Sequence, residues 1–225
     1  MSPMIIRQSK NLIEDLRARW DEVDVVPINA NLQNSGTAES PFGHYEGLTD
    51  FRGFQLKAHL KLSTIAMSGK KPIPQAVVPV TKNLDFSFSI FARGGFSDVV
   101  AEDCKFDSVE IGSNWRRCFR RCTFKGAKLS RNYFAGRFED CDFLKAELNS
   151  SSAGAADAFV RCNFTKANLK SANWIQVRFE NCIFDGAKFG RASISGSRFV
   201  GTAPTGEQLS DTLVTKVVYE DVPGR

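Results

Sequence analysis

The chain has 225 residues, of which 42% are hydrophobic and 24% charged, and its formal net charge is +5. A chain of this length forms one large domain, or one domain with an appendage. No run approaches the roughly 18 apolar residues that cross a bilayer. The start lacks the apolar stretch of a signal peptide, so a cytoplasmic protein is expected, with export as an effector left open. Six cysteines without a C-x-x-C pair, and only two histidines, disfavour a disulfide framework and a zinc site, and no cofactor is predicted.

The first predicted element is an amphipathic helix over Ser9–Glu22, with Ser9 as its N-cap. Its apolar side chains recur at helical spacing: Leu12, Ile13, Leu16 and Trp20. Such a helix either covers an exposed end of the core or docks a partner. The polar stretch Asn29–Gly43 predicts a loop, and the F-x-G-F-x-L segment within Leu48–Ile65 is compatible with one irregular early coil of the repeat described next.

A repeat with a period of five residues dominates the second half of the chain. The apolar positions at this spacing are Phe159, Phe164, Leu169, Trp174, Phe179, Phe184, Phe189, Ile194 and Phe199. Neither an α-helix nor a flat strand keeps a period of five on one face. The chain must therefore turn a corner every five residues, and four corners close a square coil of about 20 residues that stacks on the next one.

A second period, close to one coil, supports this interpretation. The pattern F-x-x-C-x-F-x-x-A-x-[LF] begins at Phe119, Phe138, Phe159 and Phe179. Small cysteines at the inward position and the large residues two positions later predict a structural core of Cys104, Cys122, Cys141, Cys162, Cys182, Phe124, Phe143, Phe164 and Phe184. Irregular spacing at Tyr133–Phe134 and within Asn149–Ala158 predicts bulged corners.

Runs such as Ala-Asn-Leu-Lys-Ser at 167–171 resemble the A-[DN]-L-x-x unit of pentapeptide-repeat proteins. The resemblance covers about Leu84 to Gly201 and implies an all-β fold, a right-handed parallel quadrilateral β-helix. Three parts are expected: a helix with an irregular capping segment (1–83), the β-helix (84–201) and a C-terminal cap or tail (202–225). Family members of this kind are bacterial, and the well-known ones mimic DNA and bind DNA gyrase, conferring resistance to quinolones or peptide toxins.

The residue before the first phenylalanine of a coil should face outward, and two predicted sites occupy this column. Cys118 lies among cations, which lower a thiol pKa, so it is either a reactive thiol or an incidental surface cysteine. These cations are Arg116, Arg117, Arg120 and Arg121. Arg137, Arg178 and Arg198 form the second site, a contact stripe for an acidic partner, because no counter-charge is expected beside them; the alternative is a solvated face.

The other arginines are expected to be neutralised across coils. Stacking places Arg120 beside Glu139, and Arg121 beside Asp140, which also neighbours Arg161. Such pairs contribute a few tenths of a kcal/mol each, which is typical of a surface ladder and not of a nucleic-acid site.

No catalytic motif is present, so a non-enzymatic module that displays flat faces to a protein partner is the leading functional prediction. A DNA-mimicking protein that binds gyrase is the alternative. It is disfavoured because residues 84–201 carry 18 Lys and Arg against 13 Asp and Glu, whereas mimicry needs a dense anionic surface. Direct binding of nucleic acid or an anionic membrane by the arginine column is a third hypothesis, and homodimerisation is left open.

Overall fold

A computed structural model of the chain describes residues 3–56, 62–63, 67–68, 71–72, 80–91, 96–97, 99–112, 114–155 and 157–224. Two helices precede the strands, α1 (Pro3–Ala18) and α2 (Val25–Ser35). The strands are β1 (His44–Tyr45), β2 (Leu48–Asp50), β3 (Gln55–Leu56), β4 (Leu62–Ser63), β5 (Met67–Ser68), β6 (Lys71–Pro72), β7 (Val80–Lys82), β8 (Leu84–Asp85), β9 (Ile90–Phe91), β10 (Phe96–Ser97), β11 (Val99–Glu102), β12 (Glu110–Ile111), β13 (Asn114–Arg120), β14 (Tyr133–Glu139), β15 (Ser152–Ala153), β16 (Ala158–Val160), β17 (Asn173–Trp174), β18 (Arg178–Glu180), β19 (Arg198–Val200) and β20 (Val218–Glu220).

Parallel pairing between successive coils builds four faces. They are numbered in the order in which the chain passes through them, starting from the face with the longest strands. The first face joins β7, β11, β13, β14, β16, β18, β19 and β20. The second passes through Asp50, Asp85, Lys105, Thr123, Asp142, Asn163 and Ile183. The third passes through Gln55, Ile90, Glu110, Lys128, Glu147, Asn168 and Lys188. The fourth passes through Asn114, Tyr133, Ser152, Asn173, Ser193 and Leu213. The predicted four-sided parallel β-helix with an N-terminal helix is confirmed.

Two columns of aromatic rings fill the interior. On the first face, Phe138 and Phe159 stack with ring centroids 4.9 Å apart, close to the strand spacing of about 4.8 Å that ladder hydrogen bonds impose. On the second face, Phe124 and Phe143 stack at 4.8 Å. The columns meet edge to face, as between Phe138 and Phe143 at 62°, which is a favourable aromatic geometry. Two inward positions that recur from coil to coil therefore account for the excess of phenylalanine.

The first helix begins at Pro3, so the prediction that Ser9 caps its N-terminus is wrong. Proline is favoured in the first helical turn because its missing N–H has no partner there in any case. Ser9 consequently lies inside the helix and not at its N-terminus.

The C-terminal end of α1 covers the first coil. Trp20 is 4% exposed; its ring stacks on Phe51 and its indole N–H donates to the Arg52 carbonyl at 2.9 Å. Gly53 has a φ of 74°, and a Cβ there would stand 2.2 Å from the Leu16 carbonyl oxygen, so only glycine permits this close approach of helix and coil. The end of α1 and the residue Trp20 that follows it therefore pack against the first coil.

A second helix, α2, occupies part of the segment for which a loop was predicted. Asp24 caps it by accepting from the Val26 N–H at 3.1 Å, and Gly36 ends it with a φ of 74°. The β-branched and asparagine residues of this segment are weak helix formers. Packing of Leu32, which is 1% exposed, overrides that local preference.

Parallel register extends beyond residues 84–201 at both ends. Thr49 pairs with Leu84, and Arg198–Val200 pair with Val218–Glu220. The residues after Gly201 thus complete another coil, and the step of five continues through Pro204, Leu209, Val214 and Tyr219. The sequence carried this signal, but the proline and glycine between 201 and 206 obscured it.

A buried carboxylate fills the irregular corner that the spacing within Asn149–Ala158 indicated. Asp157 is 4% exposed and occupies an inward position that holds a small residue in most coils. It accepts hydrogen bonds from the N–H groups of Gly136 at 2.6 Å and Gly154 at 2.5 Å. Burial raises the pKa of this carboxyl group, while the two N–H donors oppose that rise.

We expect Asp157→Ala to lower the free energy of unfolding by about 1–3 kcal/mol, because two backbone donors lose their acceptor. Asp157→Asn keeps the shape and one acceptor oxygen, so its loss should be smaller. Chemical denaturation followed by circular dichroism measures both. Equal losses for the two variants would contradict this expectation, because they would show that the shape and the one acceptor oxygen kept by asparagine contribute nothing.

Candidate interaction faces

The three arginines of the predicted stripe lie on the first face, and each has a carboxylate partner. Arg178 and Arg198 are in register on neighbouring strands. Arg178 pairs with Glu180 at 3.0 Å and Arg198 with Glu220 at 2.7 Å. Arg137 pairs with Glu139. The premise that this column lacks counter-charges is therefore wrong, because a glutamate two residues along the same strand, or on the next coil, points to the same side.

The cross-coil ion pairs on this face follow most of the expected pattern. Arg120 contacts Glu139 at 3.2 Å, as predicted. Arg161 contacts Asp140 at 2.6 Å, also as predicted. Arg121 instead reaches back to Asp103 on the preceding coil, at 2.7 Å. The first face is a neutralised ladder, with little free charge to offer a partner.

Cys118 is part-buried on the same face, in register with Arg137. Burial is the main cause that raises its thiol pKa, and Glu139 adds to the rise, while Arg120 and Arg137 lower it. The thiol pKa is therefore raised and not lowered, because burial, together with the neighbouring carboxylates, outweighs the arginines. The side chains of Arg116 and Arg117 lie outside the described residues.

The five inward cysteines form one buried column, each 0–1% exposed. Each thiol donates to a carbonyl oxygen of the preceding coil, as Cys162 does to Phe138 at 3.3 Å and Cys182 to Phe159 at 3.2 Å. Burial raises the thiol pKa of Cys141 and Cys182 well above the ordinary value. The four predicted phenylalanines, 0–5% exposed, stand in the second-face ring column: Phe124, Phe143, Phe164 and Phe184.

The fourth face differs from the first because none of its outward residues is charged, from the coil that contains Tyr133 to the coil that contains Thr215. Its outward positions are Tyr133, Ala135, Ser152, Gly154, Asn173, Ile175, Ser193, Ser195, Leu213 and Thr215. Three exposed large side chains stand among small and amide residues: Tyr133 is 39%, Ile175 38% and Leu213 59% exposed. The backbone of Arg116 is in register with Ala135, so the uncharged region begins at the coil of Tyr133.

The described residues offer little that resembles a catalytic or metal centre. No three His, Cys, Asp or Glu side chains among them are grouped to hold a metal ion. One concavity of about 540 Å³ in the described part is lined by Asp185, Lys188, Glu207 and Asp211 among others, without a histidine or cysteine. Neither described helix is long and apolar enough to cross a membrane.

A family model for pentapeptide repeats matches residues 162–201 with eight copies. This segment contributes to all four faces. This part of the solenoid consists of pentapeptide repeats. A search of curated proteins finds no match to the chain.

Solved structures similar to this pentapeptide-repeat chain include that of HetL, a pentapeptide repeat protein involved in heterocyst differentiation regulation from the cyanobacterium Nostoc sp. strain PCC 7120. It is 11% identical, the match covers 80% of this chain and 88% of that chain, and the TM-score is 0.32. A trypsin-treated form of QnrB1, a plasmid-mediated fluoroquinolone resistance protein, is 12% identical over 64% of this chain and 81% of that chain, with a TM-score of 0.28. Full-length QnrB1 is 16% identical over 59% and 85%, with a TM-score of 0.21.

The sequence-based prediction of a contact surface considered charged residues and Cys118, and it did not include the fourth face. In the sequence, Tyr133, Ile175 and Leu213 are apolar residues next to an inward position of the five-residue period. The period alone does not indicate that they share one outward face. Aligning the coils by the long period would have shown that this one column contains no Lys, Arg, Asp or Glu from Tyr133 onward.

Proposed function

We propose that the chain is a non-enzymatic module that binds a protein partner through its fourth face. The absence of charge from this face, between Tyr133 and Thr215, is the observation that carries the proposal. The centres of protein interfaces are depleted of charged residues and enriched in aromatic and large apolar ones. Tyr133, Ile175 and Leu213 supply such side chains on a surface whose remaining residues are small or neutral.

The backbone of this face is held rigidly before any partner arrives. Ser152 N–H donates to Asn132 O at 2.9 Å, and Ser193 N–H donates to Ala172 O at 2.8 Å. Behind the face, the Trp174 indole donates to the Ser151 hydroxyl at 2.9 Å. A preorganised surface loses little conformational entropy on binding, so more of the contact free energy appears as affinity.

The charged alternatives receive less support from the geometry. On the first face, Arg137, Arg178 and Arg198 are paired with carboxylates, and separating them to contact an acidic partner would remove existing ion pairs. Mimicry of DNA for gyrase needs a dense anionic surface. Residues 84–201 instead carry an excess of Lys and Arg.

The test compares two isoleucines of the same solenoid. Ile175 lies on the fourth face and Ile183, which is 48% exposed, lies outward on the second. Ile175→Glu should weaken partner binding by about tenfold or more, because an unpaired carboxylate would be desolvated in the interface. Ile183→Glu makes the same chemical change and should leave binding intact.

Crosslinking and affinity purification from the cells that make the protein, followed by binding titration of each captured protein, provide the measurement. A partner retained by Ile183→Glu and lost by Ile175→Glu supports the fourth face. Partners that bind both variants as well as the wild type would place the contact elsewhere.

A further inference from the structure

Six cations on one side of the solenoid have no ion pair with any described residue. They are Arg131, Lys145, Lys166, Lys170, Lys188 and Arg191, and all six are exposed. The ion pairs of the described chain instead engage the cations of the first face and a few others: Arg17, Arg19, Arg52, Lys82, Lys105, Arg120, Arg121, Lys125, Lys128, Arg137, Arg161, Arg178 and Arg198.

These six residues share the third face and its two edges. Lys188 lies on the third-face ladder, in register with Asn168, and Lys170 follows that asparagine on the same face. Lys145 and Lys166 stand at the corner before this face, on adjacent coils. Arg131 and Arg191 stand at the corner after it. This surface is named the basic face; within the face and its two corners from Lys145 to Arg191, the acidic residues are Glu147 and Asp185.

The corner cations occupy backbone positions that favour other residues. Lys145 and Lys166 have a φ of 57°, Arg131 of 60° and Arg191 of 59°. This left-handed region favours glycine, asparagine and aspartate over long side chains. On the first face the corner residues Arg121 and Arg161 are compensated by ion pairs. On the basic face no ion pair among the described residues engages these corner cations.

The rest of the basic face indicates what kind of surface it contacts. On the face itself, between its two corners, Ser130, Asn149, Asn168 and Gly190 stand between the cations, and no aromatic or large apolar side chain faces outward there. The face therefore lacks the apolar centre of a protein interface and the rings on which nucleic-acid bases stack. The six cations stand at both edges and in the middle of one side of the solenoid, an arrangement that suits a broad anionic surface better than a narrow duplex.

We propose that the basic face attaches this chain to an anionic lipid surface, as a peripheral contact by charge alone. Clusters of four to eight Lys and Arg are the size that binds acidic lipid headgroups, and each cation near the surface contributes about fivefold in affinity. The uncharged fourth face shares an edge with the basic face at Arg131 and Arg191, so it stays accessible beside the membrane. Protein binding and lipid binding thus use different surfaces.

Sedimentation with lipid vesicles tests this proposal. The full chain should bind vesicles of equimolar phosphatidylserine and phosphatidylcholine at low salt, and not vesicles of phosphatidylcholine alone. Binding should weaken steeply as salt rises, because exposed charges are screened beyond the Debye length. Lys170→Glu with Lys188→Glu should lower the partition coefficient by at least about 25-fold, as two contributions of about fivefold each are lost.

The matched control is Arg178→Glu with Arg198→Glu, which changes net charge equally on the first face and should keep most of the binding. Lys145→Glu with Lys166→Glu, at the edge of the basic face, should repeat the loss, and circular dichroism verifies that each variant is folded. The proposal is overturned by any of three results. These are no binding to the phosphatidylserine vesicles, an equal loss in the first-face control, or binding to duplex DNA without binding to vesicles.

Discussion

Replacement of Phe159 by alanine is expected to lower the free energy of unfolding by about 3–5 kcal/mol. The side chain is fully buried. Its ring stacks on Phe138 and on Trp174, with centroids 4.9 Å apart in both cases, and on Phe179 at 5.6 Å. Removal of the ring leaves a cavity between two neighbouring coils. The ladder hydrogen bonds fix the spacing of those coils, so the cavity cannot collapse and the loss should lie at the upper end.

Two substitutions in the same interior calibrate this expectation, and chemical denaturation followed by circular dichroism measures all three. Cys162→Ala removes a single sulfur atom from the inward small position and should cost about 1 kcal/mol. Tyr219→Ala removes a ring from the same column as Phe159, but at the last coil, where the side chain is only half-buried. A loss for Tyr219→Ala as large as that for Phe159→Ala would contradict the explanation by confined cavities.

Asp50→Asn should lower the free energy of unfolding by about 2–4 kcal/mol, because it breaks a largely buried ion-pair cluster. The Asp50 carboxylate is 4% exposed and pairs with Arg19 at 2.7 Å and Arg52 at 2.9 Å. It also accepts from the backbone N–H of Arg52 at 3.0 Å. Since Arg19 precedes the first coil and Arg52 belongs to it, the cluster ties the capping segment to the solenoid.

The effect of Asp50→Asn should depend on pH. Burial opposes ionisation, but the hydrogen bonds from Arg52 and Arg19 outweigh it and hold the pKa of Asp50 well below its ordinary value of 3.8. A carboxyl whose folded pKa is depressed stabilises the fold above its unfolded pKa and loses that contribution as pH falls toward the folded value. The difference between the wild type and Asp50→Asn should therefore be constant above about pH 5 and narrow below about pH 4.

Asp85 provides the control for this titration. It lies in register with Asp50 on the next coil and is 2% exposed. Its carboxylate accepts from the Ser87 N–H at 2.9 Å, a bond that an asparagine oxygen keeps. Asp85→Asn should thus lower the free energy of unfolding less than Asp50→Asn does. If the Asp50→Asn difference stayed constant down to about pH 3, the ion pairs would not be the source of the stabilisation.

The ion pairs of Asp50 and the unpaired cations of the basic face show how much of the ion pairing can be predicted from the sequence. The sequence indicated that Arg120 and Arg161 would be neutralised, because the long period places carboxylates one coil away. It did not indicate that Glu180 would turn to Arg178 on the same strand. The sequence analysis therefore expected unpaired cations on the first face, whereas the described structure has them on the basic face. Ion pairing depends on rotamers and on reach of a few ångströms, which a repeat pattern does not contain.

The sequence by itself determined the solenoid, since a period of five with a small inward residue and a large centre closes in space only as a four-cornered coil. It also determined which cysteines and phenylalanines face inward, because inward and outward positions alternate within each side of the coil. The tertiary structure alone decided where the solenoid begins and ends, how α2 forms against weak local propensity, and which cations remain without partners. Those outcomes depend on contacts between residues far apart in the chain, such as Arg19 with Asp50 and Gly53 with Leu16, and no local pattern records them.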